Sequence, residues 1–82
     1  MTINHAFVYD TKAKQIIAKG RGNGIELMAE LPYLCALTLA KNKEHPNRYY
    51  TTIASATIFK SGRIPQSSLE LYASMYLEVE AQ

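Results

Sequence analysis

Gly20-Arg21-Gly22-Asn23-Gly24 sets three glycines within five residues, directly before a stretch of helical periodicity. Backbone N–H groups at a helix start, with Arg21 and Asn23 beside them, are suited to holding a phosphate or carboxylate. The pentad lacks the Lys-Ser/Thr ending of a P-loop and the spacing of a dinucleotide fingerprint, so a flexible strand-to-helix turn is the simpler reading. Cys35 is the one thiol, and His45 the base nearest to it in sequence. Nucleophilic catalysis would need that base beside the thiolate and an oxyanion donor opposite, and no residue can be named for the second role. His5 and His45 with one cysteine do not supply a spaced metal set, and no cofactor motif is present.

Glu70, Glu78 and Glu80 could work as paired acids only if their surroundings split their pKa values, and nothing apolar is expected around them. The tyrosines carry more information. Tyr49, Tyr50, Tyr72 and Tyr76 cluster in the second half of the chain, and tyrosine is enriched in protein interfaces because it offers a large contact area at low entropic cost. The basic residues fall into two stretches, with Lys12, Lys14, Lys19 and Arg21 in one and Arg48, Lys60 and Arg63 in the other, beside Lys41 and Lys43. If these converge, they could neutralise phosphates while tyrosines stack on bases.

The elements that must position these groups follow from the pattern. Eighty-two residues, 48% hydrophobic and 20% charged, describe one folded domain spanning 1–82. A net charge of +2 is too small to point to a polyanion by itself. The sequence has no apolar run that could span a membrane and no basic-then-apolar leader pattern, and a buried thiol suits a reducing compartment, so a cytoplasmic location is expected.

Residues 4–10 and 15–19 read as a β-hairpin joined by a short polar turn. Ala6 and Val8 take one face of its first strand, and His5, Phe7 and Tyr9 take the other. From Ile25 to Lys41 the apolar positions follow the helical period, with Asn23 and Glu26 at capping-box spacing. Pro32 should kink or divide this helix. Its apolar stripe is expected to be Ile25, Met28, Leu31, Cys35 and Leu39. Residues 48–60 are rich in Tyr, Thr, Ile and Phe and read as a long strand.

The last segment is ambiguous. Ser67 and Glu70 form a capping box, and Leu69, Tyr72, Ala73, Tyr76 and Leu77 mark a helical stripe. The same stretch also alternates without a break from Leu69 to Glu80. Period 2 is preferred, because Glu78 and Glu80 would oppose a helix dipole.

The expected fold is α+β in the order β-β-α-β-β, a four-stranded, mainly antiparallel sheet with one kinked helix on one face. Leu69, Leu71, Met75, Leu77 and Val79 would meet the helix, and Tyr72, Tyr76, Glu78 and Glu80 would line the open face. Such a wetted face is often used for partners. The function expected from this surface is that of a non-enzymatic protein-binding domain, engaging another protein or a second copy of itself in a homodimer through the open face and a C-terminal hairpin. Compact domains of this kind often serve as inhibitors, adaptors or accessory factors, including those carried by phages and mobile elements. The alternative is nucleic-acid binding through the basic turns, against which an acidic terminal strand counts. An enzyme or anion-binding protein built on the Gly20–Gly24 loop ranks third.

Overall fold

A computed structural model describes residues 3–22, 24–55 and 62–80, with side chains described as far as Glu78. The chain runs β1 (His5–Asp10), β2 (Gln15–Lys19), α1 (Ile25–Glu44), β3 (Tyr50–Ser55) and α2 (Gln66–Glu80). Among the described residues this is an α+β fold with a three-stranded sheet in the order β2-β1-β3. Both pairings of the central strand β1 are antiparallel.

The expected hairpin is present, with a register shift between Val8 and Tyr9 that marks a β-bulge. Asp10 builds the turn. Its Oδ1 accepts the N–H groups of Lys12 and Ala13, each at 3.0 Å, and its main-chain oxygen accepts from the Lys14 N–H. This is an Asx-type turn, and it carries Lys14 at φ 58°.

In β1, Ala6, Val8 and Asp10 are buried, and their direct partners in β3, Ala54, Thr52 and Tyr50, are buried as well. Period 2 therefore puts all six on the face that α1 covers. Leu27, Leu31, Leu34, Cys35 and Thr38 form the buried side of α1. The stripe is turned from the one expected. Ile25 is 84% exposed and Met28 42%. A polar residue belongs to the buried side. Thr38 Oγ1 donates to the Leu34 main-chain oxygen and pairs with Thr52 Oγ1 at 2.6 Å, so a threonine sits satisfied in the core. Either hydroxyl can donate in that pair, and both threonines are satisfied without water. Gly20 allows the helix to approach, since a Cβ there would lie 3.0 Å from Leu27 Cδ2 and 3.3 Å from Leu34 Cδ1. The expected Asn23 cap lies outside the described residues. Gly24 occupies the N-cap position without a side-chain bond. α1 runs unbroken through Pro32, so of the two outcomes expected there, a kink or a division, the division does not occur.

The larger correction concerns the end of the chain. Residues 66–80 form a helix, so the expected fourth strand and C-terminal hairpin are absent among the described residues. α2 packs on α1. Leu69 and Ala73 are buried, Tyr72 is packed against the core, and the Tyr76 ring meets Tyr33 edge-on at 5.5 Å. Magnitudes explain why the alternation misled. A glutamate near a helix C-terminus costs about 0.3–1 kcal/mol, whereas burying one Leu-sized side chain returns about 1.5–3 kcal/mol. Leu71, Met75 and Leu77, the residues that completed the period-2 pattern, are 61%, 47% and 59% exposed. The long strand expected over 48–60 is Tyr50–Ser55, and the expectation for 56–60 falls outside the described residues.

Leu34→Ala should lower the stability to urea unfolding by about 2–5 kcal/mol, because Leu34 is fully enclosed. Ile25→Ala should change it by no more than about 0.5 kcal/mol. Equal effects would return α1 to the stripe read from sequence.

Candidate interaction surface

α1 covers one face of the sheet, and the alternation sends His5, Phe7 and Tyr9 of β1 to the other. His5 is exposed, while Phe7 and Tyr9 are half-buried. The rings of His5 and Phe7 stack with centroids 5.6 Å apart. Register places Ile53 and Lys19 on either side of Phe7, with Thr51 and Ile16 on either side of Tyr9. Thr51 is buried in this row, and Ile16 stays 42% exposed. The Asn4–Phe7 stretch, Ile16, Lys19, Gly20, Gly22 and Leu27 line a shallow depression, with no carboxylate among its lining residues. A second groove follows β2 from Lys14 to Lys19, again without a carboxylate.

The two outer strands differ. Outside β3, the Ile64 N–H donates to the Thr52 main-chain oxygen and the Ala54 N–H to the Gly62 oxygen, with a bridge between Ile53 and Arg63. β2 has no such cover among the described residues, and four of its five residues are exposed.

The end of the sheet carrying the hairpin turn is tied down by polar contacts. Arg48 Nη1 donates to Asp10 Oδ2 at 2.8 Å, joining an exposed guanidinium to a buried carboxylate. The Thr11 N–H and hydroxyl both donate to the Tyr49 main-chain oxygen. Asn42 pairs with Tyr50 as a neighbouring strand would, with Nδ2 donating to the Tyr50 oxygen and Oδ1 accepting the Tyr50 N–H. The Ala13 N–H bond holds the Asp10 carboxyl below its usual range against the opposing effect of burial, helped by Arg48 and the Lys12 N–H. Asp10 in turn raises the pKa of Arg48.

The residues picked out from sequence scatter on this frame. Tyr50 is buried, Tyr72 faces the core and Tyr76 meets Tyr33, so the tyrosines do not form a face of the sheet. Tyr49 remains 51% exposed. Glu70 and Glu78 lie exposed on α2, Glu70 accepting a bond from Gln66. The Glu80 side chain is outside the described part. Of the basic set, Lys12 and Lys14 join Arg48 at the turn, Lys19 and Arg21 lie toward the opposite end of β2, and Arg63 is beyond β3. Lys60 falls outside the described residues, as does Asn23. The basic stretches therefore converge only in part.

In the glycine loop, the Gly20 N–H donates to the Ala6 oxygen and the Gly24 N–H to the Ile3 oxygen, so two donors that could have faced an anion are engaged by main chain. Cys35 and His45 are not brought together. Ten residues of helix separate them by about 15 Å. Burial pushes the Cys35 thiol up to about 11, although the Thr52 hydroxyl pulls the other way. His45 is the C-cap of α1, with Glu44 3.4 Å from its Nε2. No group of three His, Cys, Asp or Glu side chains among the described residues could hold a metal ion. No described helix is long and apolar enough to cross a membrane.

One feature of this surface was missed from sequence. The Asp10–Arg48 pair joins residues 38 positions apart, and only Asp-Thr at the strand end hinted at half of it. The aromatic row of β1 is visible in the sequence as the alternation of His5, Phe7 and Tyr9. Comparison with known proteins finds no matching family model, no similar curated protein and no similar solved structure.

Because the Asp10 pKa is lowered in the folded state, the stability it contributes is present above about pH 3.9, the value of an unperturbed Asp. It is lost as pH falls through the lower, folded value. Asp10→Asn should lower the melting temperature at pH 7 and flatten its decline between pH 5 and about pH 2. Parallel melting curves for the two proteins across that range would mean that Asp10 is not the coupled group.

Proposed function

We propose that the chain is a non-enzymatic protein-binding domain that works through the uncovered side of its sheet. The observation carrying this reading is the pairing of a sheet covered on one side with an outer strand that has no neighbour, both among the described residues. His5, Phe7, Tyr9 and Ile16 are available on the second face, and β2 adds Ile17 at 36% exposure. A row of aromatic and aliphatic groups with basic residues at its margin matches the usual make-up of an interface, an apolar and aromatic centre inside a polar rim. The chain end plays no part in this surface, because residues 66–80 form α2. Roles as an inhibitor, adaptor or accessory factor remain compatible with such a surface.

Nucleic-acid binding is the second reading, favoured by one observation. His5, Phe7 and Tyr9 project from the central strand of an open sheet beside Lys19, as aromatic stacking platforms do. The acidic strand expected to oppose it is a helix elsewhere. It stays second because the charge totals +2 and the basic residues divide between opposite ends and edges of the sheet.

The deciding experiment is native copurification with the wild-type chain, with Phe7→Ala/Ile16→Ala, and with Leu71→Ala/Met75→Ala, thermal unfolding being followed for each. The wild type and the helix variant should retain a protein partner, and the sheet variant should lose at least tenfold, since interface anchors carry about 1 kcal/mol or more each on truncation. Recovery of nuclease-sensitive material instead, or loss confined to the helix variant, would contradict the reading.

A further inference from the structure

The geometry points to a specific occupant for the outer edge of β2: an extended, acidic segment of another protein, added to the sheet as a further strand. This rests on the protein-binding reading and names the mode and chemistry of the partner.

Main-chain geometry supplies the first argument. The Gly20 N–H bonds to the Ala6 oxygen, and Phe7 faces Lys19 while Val8 faces Ala18. Bonded and non-bonded pairs alternate along an antiparallel ladder, so Ala18 pairs inward and Lys19 turns its N–H and C=O away from β1. An incoming strand can take both groups, which is how extended peptides join sheet edges. The equivalent edge of β3 is engaged by Gly62 and Ile64.

Charge chooses between occupants. Lys12, Lys14, Lys19 and Arg21 are all exposed, and residues 11–24 contain no acid. The neighbouring carboxylate of Asp10 is buried and held by Arg48. Glu26, in the first turn of α1 against Gly22, is the acid at the far end. β2 carries Lys19, with Lys14 at its start and Lys12 and Arg21 beyond its ends, so a second copy would bring like charges together along the seam, which is unfavourable between facing strands. Edge lysines are themselves a device against self-pairing. A strand bearing Asp or Glu at alternate positions meets the opposite situation, and its remaining side chains can contact Ile16 and Ile17, exposed at the bulge.

The test is an NMR titration of the intact chain, at physiological salt, with a capped Glu-Val heptapeptide, its Lys-Val counterpart and a single-stranded oligothymidylate. The acidic peptide should shift the amide signals of Ile16 to Lys19 and slow exchange of the Lys19 amide, and the basic peptide should do neither. Lys14→Glu/Lys19→Glu should weaken the acidic peptide at least tenfold. Lys19→Pro removes an outward N–H without breaking the β1 ladder, and it should abolish the shifts while the protein stays folded. The inference is overturned if the acidic peptide leaves β2 unchanged, if the oligonucleotide takes this edge instead, or if the same signals move with protein concentration, which would reveal a second copy. A copurified protein retained by both β2 variants but lost with Phe7→Ala/Ile16→Ala would sink strand addition while leaving the protein-binding reading intact.

Discussion

Leu27, Leu31 and Leu34 close over Ala6, Val8 and Ala54, and because the sheet residues are small, α1 settles against one face of β1 and β3. Gly20 gives the closest part of that approach its room. Period 2 then fixes the rest. Once Ala6 and Val8 face inward, His5, Phe7 and Tyr9 must face outward, and no described element follows to cover them. The second helix does not reach that side, since its buried residues pack on α1. That this side has no covering element among the described residues is thus a consequence of how the core is filled, and the proposed binding role uses what the packing leaves.

Polar contacts hold this arrangement in register. The Thr38–Thr52 hydroxyl pair links α1 to β3 inside the core, and Asn42 takes the place of a neighbouring strand beside Tyr50. Asp10 closes the hairpin through the Lys12 and Ala13 amides and reaches the entry of β3 through Arg48. No described buried side-chain nitrogen or oxygen lacks a partner. An unsatisfied group in such a place costs about 1–3 kcal/mol, so these bonds define one register over its slipped alternatives.

The legible parts of the sequence were those set by local rules. Asp-Thr between two β-rich runs specified the hairpin, and the residues around His45-Pro46 marked the end of α1. Period failed where tertiary contacts decided. Over residues 69–80 both periods fit, and the outcome turned on whether Leu69, Tyr72, Ala73 and Tyr76 could share one face against α1, which no local pattern states. The rotated stripe of α1 has a similar origin, since Thr38 belongs to the core only because Thr52 arrives from β3. Of the surface, the alternation of His5, Phe7 and Tyr9 was readable, while the bare outer position of β2 depended on a strand order that one sequence does not contain.

Among the described residues β2 has an open edge while β1 is paired on both sides, and the account depends on that difference. Amide hydrogen exchange on the isolated chain tests this most directly. The account predicts slow exchange at Ala6 and Val8 in the middle of the sheet and much faster exchange at Lys19, whose N–H points away from β1. Equal protection of Lys19 and Val8 in a dilute, monomeric sample would contradict it, because the edge would then already be covered.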